Sequence, residues 1–585
     1  MWAVRTAAIA ILSLGAASPL RRQAQQKESS SASPPTATIS PSSANGKSIT
    51  VQGVIRPNED FDSYMGIPFG QPPVDELRWK PSQLFDYGTI DSVNGSDYRQ
   101  ACIQLSLFGA DSPTPDNAGA AGTSEDCLFL NVFTPRGASS SEDKLPVWVS
   151  IYGGGFLSGS AQAGDPVNLI PTANEMGLPV VYVTFNYRLG GFGFVSGPQF
   201  AESDSGNLGA SDVTTALQWV QENIEAFGGD PKRVTIQGQS AGASQVSLQY
   251  LQPDLELFQY GIIQSGAPSL STLGPIAQVQ PQAWNRFFEL LNCSDSRNDQ
   301  VQCAQKVNTT VVVDAYTQLF KEFNRGNLIG QTIDGVILPA TPYSLLGQGR
   351  YAHRPFIVGD VKDEGTVFAT ATNESSFISS IQGSGLFTRS NETVQKLLEL
   401  YADVPAEGSP FDTGDELFNK TSTYKRASAY SGDVTFQVAR RNWLDVTHSH
   451  GLVDSWNYEY SHVAANVGAN PAQGVFHGAE LNITRGRPTE GKPWWTEQDI
   501  NLSKAYLEYF LRFIYQGNPN QVAGDNAIIG STNITTDAFV PWPSYNGPEE
   551  RNTILFEGAG RSVVKDDFRT EQFDYINSQN TEYSR

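Results

Sequence analysis

The sequence predicts an α/β protein built on a large, mainly parallel central sheet flanked by helices. Two patterns carry that prediction. Residues 147–152, 180–186, 234–237 and 260–264 are short runs rich in β-branched and aromatic side chains, as expected of strands buried on both faces. Between them, residues 211–226 place Val213, Ala216, Leu217, Val220 and Ile224 on one side of a helix. Strand and helix therefore alternate, and helices that cross over between parallel strands cover both sides of a sheet. Residues 355–359 and 455–460 read as later strands of the same sheet, and no internal repeat interrupts the order.

The ends of the chain read differently. Arg5, an apolar stretch over residues 6–14 and the small residues Gly15, Ala16 and Ala17 form a signal-peptide pattern over residues 1–17. Residues 18–48 are expected to be a flexible leader, because their Ser, Pro, Ala, Thr and Gln offer little apolar surface to offset ordering. One catalytic domain is expected over residues 49–585, since the chemical motifs run along nearly its whole length. No later stretch reaches the ~20 apolar residues of a membrane span, and the tail from Asp574 to Arg585 is polar. Release from the cell follows. A formal net charge of −22 excludes nucleic acid as a partner and suits a soluble extracellular protein; the oligomeric state is not legible. Four cysteines fall as two close pairs, Cys102 with Cys127 and Cys293 with Cys303, and allow three connectivities. Glycosylation sequons at Asn94, Asn292, Asn308, Asn373, Asn391, Asn419, Asn482, Asn501 and Asn533 fit the same secretory route.

The chemistry centres on Gly238-Gln239-Ser240-Ala241-Gly242. This Gly-x-Ser-x-Gly follows a predicted strand and opens a predicted helix, the context in which it presents a nucleophile. Two glycines permit a sharp turn that lifts the Ser240 hydroxyl above the sheet, and the helix aims its N-terminal N–H groups at developing negative charge. Upstream, Tyr152-Gly153-Gly154-Gly155-Phe156 follows another strand; its bare backbone can approach a substrate closely. The N–H groups of Gly154, Gly155 and Ala241 would make a three-donor oxyanion hole. Ser240 also needs a base and a carboxylate to orient that base. His353, His448, His450, His462 and His477 all lie downstream and all remain eligible.

Several further stretches carry a resemblance. They are Gly66-Ile-Pro-Phe, Ser124-Glu-Asp-Cys-Leu-Phe-Leu-Asn-Val, Asn186-Tyr-Arg-Leu-Gly and Ala226-Phe-Gly-Gly-Asp-Pro, then Gln264-Ser-Gly, Asp363-Glu-Gly and Gly474-Val-Phe-His-Gly-Ala-Glu-Leu. Together they resemble the type-B carboxylesterase/lipase family, the cholinesterase-like branch of the α/β-hydrolases, over roughly residues 50–550. The resemblance implies an α/β-hydrolase fold with helical insertions, His477 as base and Glu364, not Asp363, as acid. It also implies that Ser265 hydrogen-bonds the acid and base, and that the disulfides are Cys102–Cys127 and Cys293–Cys303.

The expected function is a secreted serine hydrolase that cleaves carboxylic esters through an acyl-enzyme, with no metal or cofactor. Small-molecule or lipid esters are the expected substrates. Between Cys102 and Cys127 the chain has no Trp or Tyr, only Leu105, Leu107 and Phe108, and Gln239 stands where cholinesterases carry a glutamate. Both features count against choline, whose cation is held by aromatic faces and negative charge. A general carboxylesterase is the first expectation and a lipase the alternative; an acyl transferase or a non-enzymatic binding protein ranks below both.

Overall fold

The computed structural model describes residues 33–583 apart from Asn58, 106–120, 269–271, 295–298, 324–327, 384–387, Leu452, 466–469, 521–538 and Ala559. The expected signal peptide, residues 18–32 of the expected leader, Leu107, Phe108 and Asn533 lie outside these residues.

Ten strands form the central sheet, in the spatial order Gly560–Lys565, Asn552–Glu557, Ser455–Tyr460, Phe356–Val361, Tyr260–Gln264, Gly229–Gln239, Leu145–Ile151, Val181–Phe185, Phe129–Pro135 and Phe61–Pro68. The seven strands from Asn552–Glu557 to Val181–Phe185 pair in parallel. Antiparallel pairs close both edges: Gly560–Lys565 at one, Phe129–Pro135 and Phe61–Pro68 at the other.

Alternation along the central strands explains why helices lie on both faces. Val147, Val149 and Ile151 join a core with Val213, Leu217, Val246 and Leu248 of the helices Leu208–Asn223 and Ala241–Tyr250. Trp148, between them, points the other way, into a core with Leu507, Phe510 and Phe513 of the helix Glu497–Gln516. Neither face of the strand meets water. This is why these runs read as continuously apolar.

The folded body begins earlier than the leader composition suggests. From Pro35 the chain belongs to one unit, and Thr36–Ile39 pairs antiparallel with Ile49–Gln52. Ala37 and Ile39 are buried while Thr36 and Thr38 are exposed. Two inward side chains in a strand of four residues are enough to anchor it, and a composition average over residues 18–48 conceals them. Both disulfides form in close sequence pairs, Cys102–Cys127 and Cys293–Cys303. Among the described residues no helix is long and apolar enough to cross a membrane.

Candidate active site

The pentapeptide makes a strand–turn–helix elbow. The strand ends at Gln239 and the helix starts at Ala241, so Ser240 alone turns the chain, with φ 58° and ψ −126°. A positive φ strains a residue that carries a Cβ, and the surroundings must hold it. Here the Ser240 N–H donates to Gln264 O at 3.0 Å, and its carbonyl accepts from the Ser244 N–H at 3.0 Å. The flanking glycines are required by contact: a Cβ on Gly242 would lie 2.1 Å from Ile151 O, and one on Gly238 2.3 Å from the Gly242 backbone.

The glycine run lies against this elbow. A Cβ on Gly153 would sit 2.4 Å from Gln239 O and 3.0 Å from Ser240 Cβ. The N–H groups of Gly154, Gly155 and Ala241 donate to no other described residue. Gly155 and Ala241 line a cavity of about 570 Å³ together with the half-buried Ser240; Gly154 is not among its lining residues.

Glu364 and His477, the expected acid and base, meet beside it. Glu364 follows the strand Phe356–Val361 and opens a short helical turn, Glu364–Val367. Its Oε1 accepts the Val361 N–H at 2.9 Å, and its Oε2 lies 2.6 Å from His477 Nδ1. The other ring nitrogen, Nε2, lies 3.3 Å from Gln239 Nε2, which brings the imidazole to the elbow. Burial opposes protonation of His477, but the charge and hydrogen bond of Glu364, with Glu480 and Asp360 behind, raise its pKa above 6.5.

The remaining histidines are engaged elsewhere. His462 faces Asp499 at 2.8 Å, His450 faces Tyr351 at 2.9 Å, His353 faces the Gly349 carbonyl at 3.3 Å, and His448 packs against Tyr545. Ser265 departs from expectation. Its Oγ is buried and makes no hydrogen bond among the described residues, while the two Glu364 oxygens face the Val361 N–H and His477. The Ser265 N–H donates instead to Gly359 O at 2.8 Å.

Asp363, Phe368 and Phe436 were given no role from the sequence, and Gln239 was weighed there only against a choline substrate. Asp363 latches the two loops together: its Oδ1 accepts from Ser409 Oγ and the Phe411 N–H, each at 2.8 Å, and its Oδ2 accepts the Val475 N–H at 2.9 Å. Phe436 stacks on the His477 ring at 4.6 Å and Phe368 meets it edge-on at 5.1 Å. Gln239 touches the base through its side chain. Asp363 left a signal as one of two acids directly after a strand, and Gln239 by its place beside Ser240.

Strand, elbow and helix on a mainly parallel sheet, with a Glu364–His477 pair carried by later loops, define an α/β-hydrolase. The chain belongs to the Carboxylesterase family, which matches residues 38–576, and it is a carboxylic ester hydrolase. It is 34% identical to Lipase 2 of Geotrichum candidum, over 82% of this chain and 87% of that protein. It is 30% identical to the secreted triacylglycerol lipase LIP1 of Gibberella zeae, over 88% of this chain and 87% of that one. The solved structure of Aspergillus niger EstA superimposes with a TM-score of 0.75 at 22% identity, covering 94% of this chain and 99% of that one; this likeness is one of fold.

Proposed function

We propose that this protein is a secreted general carboxylesterase in which Ser240 is the nucleophile, His477 the base and Glu364 the acid. The observation that carries the reading is the 2.6 Å Glu364–His477 pair, delivered by two distant loops to the elbow that holds Ser240. His477 takes the Ser240 proton as Oγ attacks the ester carbonyl, and Glu364 holds the resulting imidazolium. The unused N–H groups of Gly154, Gly155 and Ala241 receive the oxyanion. The alcohol leaves with the proton from His477, and water releases the acid by the same route.

The cavity volume of about 570 Å³ suits a small or medium-sized ester. A second reading, hydrolysis of acylglycerols, is favoured by relatives named as lipases. Secretion is supported by the named secreted relative and by the exposure of Asn94, Asn292, Asn373, Asn391 and Asn419. Asn308 is exposed as well, whereas Asn482 and Asn501 are half-buried.

The test is turnover of p-nitrophenyl butyrate by the purified protein and by Ser240→Ala. Loss of about 10³-fold or more in kcat is expected; near-normal turnover by the variant removes Ser240 from the mechanism. Rates on tributyrin and triolein, above and below their solubility limits, separate the two substrate readings.

A further inference from the structure

The cavity that contains Ser240 has an unusual charge for this molecule. The chain carries 61 acidic and 39 basic side chains, yet no Asp or Glu lines the cavity, and among the described residues Arg389 is its one charged wall residue. The remaining walls are apolar, such as Leu273, Ile329 and Phe436, or neutral and polar.

Arg389 is also not used as an ion pair. No described carboxylate lies within 4.0 Å of its guanidinium, whereas most other buried or half-buried arginines of the protein are paired, among them Arg78, Arg188, Arg440 and Arg569. Two contacts fix its position: Nη1 donates to Ile381 O at 2.5 Å, and the guanidinium lies 3.9 Å over the Tyr583 ring. Its Nε–H is buried without an acceptor. Glu582, next to Tyr583, faces the backbone N–H of Ser390 instead, at 3.4 Å. A guanidinium has five N–H donors in a planar fork that matches a carboxylate. Arg389 is half-buried, with one N–H spent on Ile381 and its Nε–H without an acceptor, and an anion in the cavity would complete the fork.

We infer that Arg389 is a specificity residue for esters that carry a second, ionised carboxylate, such as half-esters of dicarboxylic acids. This rests on the proposed esterase reading of the same cavity. The ester carbonyl sits at Ser240 and the free carboxylate reaches Arg389; a neutral diester of equal length leaves the guanidinium unpaired. The apolar wall between them receives the methylene chain, so one chain length fits best.

The experiment compares kcat/KM for monomethyl and dimethyl esters of the C4 to C8 dicarboxylic acids, using the wild type, Arg389→Gln and Arg389→Lys. The expected result is a wild-type half-ester preference that peaks at one chain length. Its half-ester to diester ratio should fall at least tenfold in Arg389→Gln, be partly restored in Arg389→Lys and weaken in 0.5 M salt. A ratio unchanged by Arg389→Gln overturns the inference, and so does a wild-type ratio insensitive to salt, a readout that needs no variant to fold. Hydrolysis of the diesters in either case leaves the esterase reading standing. A wild type inert on every ester overturns that reading, and this inference with it.

Discussion

Replacing Glu480 with glutamine should stabilise the protein, and by an amount that depends on pH. Glu480 lies three residues beyond His477, is 0% exposed, and neither of its oxygens has a hydrogen-bond partner. The charged and titratable groups around it are Glu364, His477, Asp360 and Arg485, with the phenols of Tyr458, Tyr460 and Tyr506. Burial, and then the charge of Glu364, push its pKa from 4.5 up to about 7. The folded protein therefore keeps a proton that the unfolded chain has released. Between about pH 4.5 and 7 the folded state binds more protons, so this group's contribution to stability falls as pH rises and levels off above 7. The full penalty is on the order of 3 kcal/mol. Glutamine has the same shape and no charge. Urea denaturation followed by circular dichroism should show Glu480→Gln about 2–3 kcal/mol more stable at pH 8, with the gap closing toward pH 5. Asp360 is raised to about 7 as well, chiefly by burial, and retains its own slope in both proteins. A gap of the same size at pH 5 and pH 8, or a variant less stable at pH 8, would refute the reasoning.

Other outcomes follow from the site. The base must be neutral to act, so kcat/KM should fall with acid through an apparent pKa above 6.5, the value past which Glu364 lifts His477. Glu364→Gln should move that limb to lower pH and reduce kcat by about 10²–10⁴-fold, read from pH–rate profiles. Gly153→Ala places a Cβ 2.4 Å from Gln239 O and should reduce kcat by at least about tenfold, a loss of ~1.4 kcal/mol; unchanged kinetics would mean that the elbow tolerates the shift. Asp363→Ala frees the Val475 N–H, the Phe411 N–H and Ser409 Oγ together. It should lower the melting temperature and weaken kcat more than KM, since it loosens the loop that carries the base.

The central strands were legible because burial on both faces leaves continuous apolar runs; residues 260–264 and 455–460 were placed at their observed bounds, Tyr260–Gln264 and Ser455–Tyr460. Phe61–Pro68 and Phe129–Pro135 did not stand out, since each mixes polar residues into its run: Asp62 and Ser63 in one, Asn131 and Thr134 in the other are buried among apolar neighbours. The elbow was legible for a local reason, as all of its chemistry lies within five residues. His477 was not separable from four other histidines by local pattern, and the structure distinguishes it by what lies across from each ring. Asp363 and Glu364 show the limit most plainly. They are adjacent acids, yet one faces the imidazole and the other three loop donors. That division depends on where residues 409–411 and 475 return in space, which no local spacing encodes.

The Asp363 latch has a wider consequence. Glu364 and His477 are 113 residues apart in sequence and 2.6 Å apart in space, so the chain between them is an excursion that leaves and returns at one point. Along the way it supplies Phe368, Arg389, Val434, Thr435 and Phe436 to the cavity wall. Asp363 ties its two ends, but the excursion also holds the central strand Ser455–Tyr460 and two of the latch's own partners, Ser409 and Phe411. The stretch that shapes the cavity wall is therefore also part of the frame that holds the Glu364–His477 pair. A new substrate range on unchanged chemistry is thus to be sought in single wall positions such as Arg389, Val434 and Thr435, and not in replacement of the whole 365–473 segment.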